Sequence, residues 1–310
     1  MALKKPGLLQ MMRAPFFSSV LSPLVAGTFL SAFLTEQFSV FGFLLVLIMG
    51  IALHAATNVY NDIFDTLQGT DRINRHRNEF SGGSGIILNY PHLKTRMFWI
   101  ARISLFVAFM AMLGLMIVIR QKLWPLLWGL YLLSAFFSKY YTAAPIKLAY
   151  RGWGEIAVWF AFGPMAILVA AVSQNIGLHS NILVTMPITG ISTLSILLIG
   201  QLIDLQADTE SGKLGVAARK GPHFTCWLYI IVQLLLVFNI LFLSFIIENG
   251  FYLLFSLIPY ILLLGKVWRI ISKNSQHPES LKSAAGINVQ IHLYFSLLFA
   301  SGFFVRFIIS

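Results

Sequence analysis

Long apolar stretches alternate with short polar ones along the chain, and the apolar stretches are too long and too uniform for strands or amphipathic surface helices. A helix needs about 20 mostly apolar residues to cross the hydrocarbon of a bilayer. By that measure nine segments qualify: 14–34, 38–60, 97–119, 123–138, 153–173, 182–203, 224–247, 251–271 and 287–309. The fourth is the shortest. Only Arg120, Gln121 and Lys122 separate it from the third, so these two are expected to form a helical hairpin. Connections on one side, such as those at Thr35–Gln37 and Glu248–Gly250, are minimal, whereas 61–96, 139–152 and 204–223 are long and polar. Loops that carry function are the ones that grow. The pattern predicts an all-α, polytopic membrane protein in one domain spanning 1–310, with its chemistry at one face.

Composition agrees with lipid as the solvent. Hydrophobic residues make up 58% of the chain and charged residues 11%, against about 25% charged in soluble domains. The formal net charge of +11 would suggest nucleic acid in a soluble protein, but here its distribution explains it. Basic residues gather at the N-terminus and in the long connections, with Lys266, Arg269, Lys273 and Lys282 on the same side. The opposite side holds Arg120, Lys122 and Arg306. The positive-inside rule then places the N-terminus and the long loops in the cytoplasm, and no nucleic-acid partner is required. The opening MALKKPGLLQMMR has a charged start but no small-residue cleavage site, so it does not read as a leader. The single cysteine, Cys226, excludes an intrachain disulfide and any multi-cysteine metal site.

Two of the long connections begin alike. Asn58, Asn61, Asp62 and Asp65 stand at the end of the second apolar segment, and Gln201, Asp204 and Asp208 at the end of the sixth. Residues three or four apart share one helical face, so each helix offers an oxygen-rich patch. A carboxylate within a membrane helix costs about 2.5–3.5 kcal/mol on insertion scales, and paired carboxylates repel. A cation between them relieves both costs. Mg²⁺ suits such oxygen ligands and takes one or two carboxylates together with substrate phosphates. Arg72, Arg75 and Arg77 follow the first cluster, Lys213 follows the second, and Lys139, Lys147 and Arg151 lie in the loop between. Acids that hold a metal, with cations beside them, describe a diphosphate site. Asp71 either holds an arginine or binds a second metal. The turn SGGSG at 81–85 lacks the lysine and threonine of a phosphate loop; it is either a flexible turn or a lid over substrate.

With these motifs in view, the chain resembles the UbiA superfamily of intramembrane prenyltransferases, over nearly its whole length. Asn58-x-x-Asn61-Asp62-x-x-Asp65, followed by Gly69-x-Asp71, is similar to the first aspartate motif, in the form of the dihydroxynaphthoate (menaquinone-pathway) branch. Asp204-x-x-x-Asp208-x-x-x-Gly212-Lys213 is similar to the second, and the segment at Tyr141–Glu155 resembles that branch's intervening loop. Gln201 stands where the family usually has asparagine, and Leu214-Gly215 replaces a continuation with threonine.

The resemblance implies nine transmembrane helices around a central cavity capped by cytoplasmic loops. It also implies Mg²⁺-dependent transfer of a prenyl group from a polyprenyl diphosphate to an aromatic acceptor. On this reading Asn58, Asp62, Asp65, Asp204 and Asp208 hold the metal, with Asn61 and Gln201 as further ligands or holders of its water. Arg72, Lys147 and Lys213 are the candidates for diphosphate oxygens. Weaker candidates for the acceptor or cation pocket are His54, Tyr141, Glu155, Asn288 and His292. Of these, His54, Asn288 and His292 could instead serve as interhelical polar contacts. Capture of the allylic cation by water, its cyclisation, and a transport function remain the competing readings; acceptor, chain length and oligomeric state stay open.

Overall fold

The computed structural model describes residues 6–80, 83–248 and 250–309, and among these no strand occurs. Nine long helices dominate. They are α1 (Ser18–Thr35), α2 (Val40–Gln68), α3 (Lys94–Val118), α4 (Trp124–Tyr140), α5 (Gly154–Ser173), α6 (Ser180–Ile203), α7 (Val216–Ile246), α8 (Ile258–Asn274) and α9 (Pro278–Ile309). Eight of the described helices are long and apolar enough to cross a membrane, so the chain is an integral membrane protein; α4, at 17 residues, falls below that measure. It is nonetheless present, and the turn at Gln121–Leu123 makes it the second arm of the expected hairpin.

Consecutive helices pack together (α2 on α3, α6 on α7, α8 on α9), and α9 returns to α1, which closes the bundle into a ring. The close crossing of α5 and α6 depends on glycine. A Cβ at Gly163 would lie 2.6 Å from the Met186 carbonyl, and one at Gly190 would lie 2.2 Å from the Trp159 carbonyl. Small residues at such crossings substitute backbone packing for the hydrophobic effect that lipid cannot supply between helices. At the same level α5 widens into a π-turn over Ala161–Met165, around Pro164, the usual response to a missing amide. Outward faces carry exposed Phe106, Ile117, Phe245 and Ile261, as lipid contact requires.

Several boundaries differ from the sequence pattern. Helix α2 runs to Gln68 instead of ending near residue 60, so the first acidic cluster lies within helix, not in the following loop. Asn58, Asp62 and Asp65 are buried there against the bundle, where polarity is no reason to stop a helix. Helix α7 starts at Val216 but breaks at Gly221 (φ 83°) before Pro222, and α9 begins nine residues before the apolar run does. Of the 81–85 turn, Ser81 and Gly82 lie outside the described residues, as do Lys4 and Lys5.

Candidate functional site

The two acidic clusters face each other across a cleft that opens to solvent at one end of the bundle. Asn58, Asn61, Asp65 and Asp71 line one side; Gln201, Asp204, Asp208 and Lys213 line the other. Helix α2 places the first set by its period, since three of the four lie within one face over two turns. The second set straddles the end of α6 and the short helix Leu205–Ser211, whose C-terminus turns through Gly212 at φ 73°. That left-handed turn suits glycine and folds Lys213 back toward the cleft.

The two sides are cross-linked. Thr70 Oγ1 donates to Ser211 Oγ at 2.9 Å, and Asn74 Nδ2 donates to Asp204 Oδ1 at 2.7 Å. Lys213 Nζ lies 2.9 Å from Asp65 Oδ2 and 3.9 Å from Asp208 Oδ1. Asp65 Oδ1 accepts the Tyr150 hydroxyl at 2.7 Å. Burial works against the charge on Lys213, yet the Asp65 and Asp208 carboxylates hold its pKa well above the ordinary lysine value. Burial, with the neighbouring acids Asp204 and Asp65, pushes the Asp208 carboxyl up to about 7 against the pull of Lys213. Asp71 is pushed up to about 6 by burial and the Asp65 charge. Its carboxylate accepts from Thr66 Oγ1 at 2.8 Å, while its backbone carbonyl, not its side chain, takes the Arg77 guanidinium.

Three buried oxygens in these clusters lack a hydrogen-bond partner: Asn61 Oδ1, Asp62 Oδ2 and Asp208 Oδ1. Such orphans are costly, and all three are the hard oxygen type that a divalent cation takes. Among the described residues no three His, Cys, Asp or Glu side chains converge on one point. The donor set therefore fits a Mg²⁺ ion completed by substrate phosphates and water, not one held wholly by protein.

Arg72 is exposed and does not line the cleft, nor does Lys147, which sits at φ 51° with Nζ 5.6 Å over the Tyr150 ring. Arg13, which the sequence reading left out, does line it. It precedes α1 in a left-handed conformation (φ 53°), with its guanidinium 3.7 Å from Asp62 Oδ1 and 4.4 Å over the Phe16 ring. The Ser84 N–H also donates to Asp62 Oδ1, at 3.0 Å, so part of the 81–85 turn touches the first cluster. Asn288 and His292 lie apart, in a buried network between α6, α7 and α9. Asn288 accepts the Tyr229 hydroxyl at 2.8 Å, and His292 Nδ1 lies 2.9 Å from Ser192 Oγ. These are the interhelical contacts that their spacing also allowed.

A second cavity, lined mostly by apolar side chains, continues from the cleft between α2 and α5. His54, Thr57, Tyr141, Val158 and Phe162 line both and form the junction. The His54 ring packs edge-on against Phe17 and Phe162, at 5.8 and 5.1 Å.

An all-helical membrane protein with two facing acidic clusters over an apolar cavity is one class of lipid-substrate protein, and the comparisons name its family. Residues 20–293 match the model of the UbiA prenyltransferase family, and the chain belongs to that family. It is 26% identical to a 2-carboxy-1,4-naphthoquinone phytyltransferase of Synechocystis, over 94% of this chain and 91% of that protein. It is 31% identical to a 1,4-dihydroxy-2-naphthoate octaprenyltransferase of Mycobacterium leprae, over 68% of each. Among solved structures, an apo UbiA homologue from Aeropyrum pernix superposes with a TM-score of 0.65 at 13% identity, covering 94% of this chain and 98% of that one. A UbiA homologue from Archaeoglobus fulgidus bound to DMAPP and Mg²⁺ superposes with a TM-score of 0.59 at 13% identity, covering 97% and 99%. At these identities the structural likeness speaks for the fold.

Proposed function

We infer that this prenyltransferase moves a prenyl group from an allylic polyprenyl diphosphate to a dihydroxynaphthoate-like aromatic ring, at the cytoplasmic face of the membrane. One observation carries the reading: a polar cleft with facing carboxylates and Lys213 runs directly into an apolar cavity, the two sharing His54, Thr57, Tyr141, Val158 and Phe162. A molecule that fits both halves has an anionic head and a greasy body. The named relatives act on naphthoate-type acceptors, which favours that class of ring, and the basic loops favour the inner side for the cleft.

Asn58, Asn61, Asp62 and Asp65 on one side and Asp204 and Asp208 on the other would hold Mg²⁺ jointly with diphosphate oxygens and water, since no three of these carboxylates meet at one point among the described residues; the ion would neutralise charge on the bound diphosphate. Arg13 and Lys213 donate to its remaining oxygens. As the allylic C–O bond breaks, negative charge gathers on the diphosphate leaving group, and donors fixed beforehand stabilise it at no reorganisation cost. The aromatic faces of Tyr141 and Phe162 at the junction shield the allylic cation from water and suit its charge. The electron-rich ring then attacks the cation's terminal carbon, and loss of the displaced ring substituent, a proton or carbon dioxide, restores aromaticity. Tyr141 stays a neutral phenol throughout, because burial raises its pKa.

The reading is tested on detergent-purified protein with Mg²⁺ and labelled allylic diphosphates of several lengths. These are supplied with dihydroxynaphthoate, with hydroxybenzoate and with no acceptor. A prenylated naphthol by mass spectrometry, absent with Asp62→Ala and Asp208→Ala, is the expected result. Diphosphate release with only a terpene alcohol or hydrocarbon would overturn transfer in favour of hydrolysis or cyclisation.

A further inference from the structure

Glu155, Gln201 and Gly215 meet beside the cleft in a way that metal binding does not explain. Glu155, the second residue of α5, accepts on Oε1 both the Val216 N–H (2.6 Å) and Gln201 Nε2 (2.8 Å); its Oε2 lies 3.6 Å from Arg219 Nη2. Gln201 Oε1 in turn accepts the Ala217 N–H at 3.4 Å. Side chains from α5 and α6 thus satisfy the first amides of α7, which no carbonyl within that helix can reach. Gly215 packs directly against the Gln201 amide: a Cβ there would meet its Cδ and Nε2 at 2.7 Å and its Oε1 at 3.1 Å. A glutamine can swing away from such a methyl, but only by releasing Glu155 and Ala217.

The connection from Asp208 to Val216 is short and tied along its length. The Lys213 N–H donates to the Asp208 carbonyl at 2.8 Å and the Leu214 N–H to the Tyr150 carbonyl at 3.4 Å, and the α7 amides anchor the far end. With the near end fixed by Asp208 and Tyr150, what holds Val216 and Ala217 fixes the far end of the segment that carries Lys213.

We propose that Glu155, Gln201 and Gly215 form a latch that positions the Lys213 ammonium between Asp65 and Asp208. Gln201 then acts as a positioning residue through the 212–216 connection and not as a metal ligand, and glycine at 215 leaves the room its amide needs. The catalytic consequence rests on the diphosphate reading given above; the geometry does not.

Gly215→Ala, Gln201→Asn and the double variant, in the full-length protein, test the latch by two independent readouts. One is acetylation of Lys213 by limiting acetic anhydride, measured by peptide mass spectrometry against exposed Lys122. The other is kcat and KM for an allylic diphosphate. A mostly buried lysine hydrogen-bonded to Asp65 is shielded from reagent and labels slowly, so loosening its site in Gly215→Ala should raise Lys213 labelling about fivefold or more. Misplacing the ammonium should lower kcat by about tenfold or more. In the double variant the shorter asparagine vacates the volume that alanine fills. Both readouts in the double variant should then match those of Gln201→Asn alone within about threefold instead of multiplying, as directly coupled residues do.

Effects that multiply in the double variant would overturn the latch. So would a Gln201→Asn variant whose Mg²⁺ midpoint moves while Lys213 labelling stays native. If Gly215→Ala does not fold, Gln201→Asn alone decides, since a slack latch must raise labelling and native labelling refutes it. If the native protein turns over no allylic diphosphate, the functional reading fails, and labelling alone still decides the latch.

Discussion

Lys213 and Asp65 stand 148 residues apart in sequence and 2.9 Å apart in space, with Tyr150 completing the carboxylate's contacts at 2.7 Å. This pair joins the two halves of the chain at the point where their acidic clusters face each other. It also leaves a cation of the protein's own among carboxylates that otherwise repel, which stabilises the cleft before any ligand arrives. In the proposed reaction the same ammonium would exchange a carboxylate for a diphosphate oxygen.

Lys213→Ala should therefore act twice. Breaking a buried ion pair by removing one partner costs about 3–5 kcal/mol, so thermal stability should fall in chelator and recover in part with Mg²⁺. Turnover should drop by about 10²-fold or more, the cost of losing one donor to a developing charge. Lys213→Arg should not restore it, because a planar guanidinium does not replace a compact ammonium held 2.9 Å from Asp65. A stability loss that is identical with and without Mg²⁺ would refute competition between ammonium and metal for these carboxylates.

Arg13 and Arg72 separate the structural site from the sequence-predicted one. Arg13 lines the cleft beside Asp62, whereas Arg72 is exposed outside it. Arg13→Gln should raise KM for the diphosphate by about tenfold, as loss of a charge-assisted hydrogen bond does. Arg72→Gln should change it by less than about threefold, in the range of an exposed charge. Equal losses from both variants would mean that the helical turn Thr70–Ile73, which carries Arg72, closes on the substrate further than this structure shows.

The contrast explains what the sequence made legible. The acidic clusters could be read because α-helical period alone puts Asn58 with Asp62 and Asn61 with Asp65, whatever the tertiary fold. Arg13 could not: it stands before the first apolar run, and only a left-handed residue and the packing of α1 on α2 bring it to Asp62. Tyr150 sits in a loop whose path a one-dimensional pattern does not encode. Asn288 and His292 share a face, as their spacing says, but spacing does not tell which neighbour that face meets; here it meets Ser192, Ser195 and Tyr229. The close approach of Gly215 to the Gln201 amide is likewise a tertiary contact that motif spacing does not encode.

Acid should weaken metal binding at this site. Burial raises the Asp208 pKa to about 7 in the metal-free protein, so the carboxyl is increasingly protonated as the pH falls below that value. Mg²⁺ binds the carboxylate and must displace the proton. The Mg²⁺ concentration for half-maximal turnover should be flat above about pH 8 and rise toward tenfold per unit below about pH 6.5. Asp208→Asn should remove the pH dependence along with most of the activity. A midpoint that does not move between pH 6 and 8 would show that this carboxyl does not take part.

The apolar cavity should set the length of chain the enzyme accepts. His54 and Val158 mark its junction with the cleft, while Leu24, Met49, Ala166 and Val169 line it farther along α1, α2 and α5. Ala166 is buried, and phenylalanine there would project into the space reserved for the far end of the tail. Short allylic diphosphates, which do not reach that depth, should keep their kcat/KM within about threefold. Long ones should lose about tenfold or more, since overpacking costs about 1–3 kcal/mol and here falls on the bound tail. The same strain felt by the protein itself would lower thermal stability without regard to substrate length, so the ratio of long-chain to short-chain kcat/KM is the discriminating quantity. An unchanged ratio in a folded Ala166→Phe variant would mean that the tail leaves the bundle for lipid before it reaches α5's middle, and the cavity would then hold only the first isoprene units.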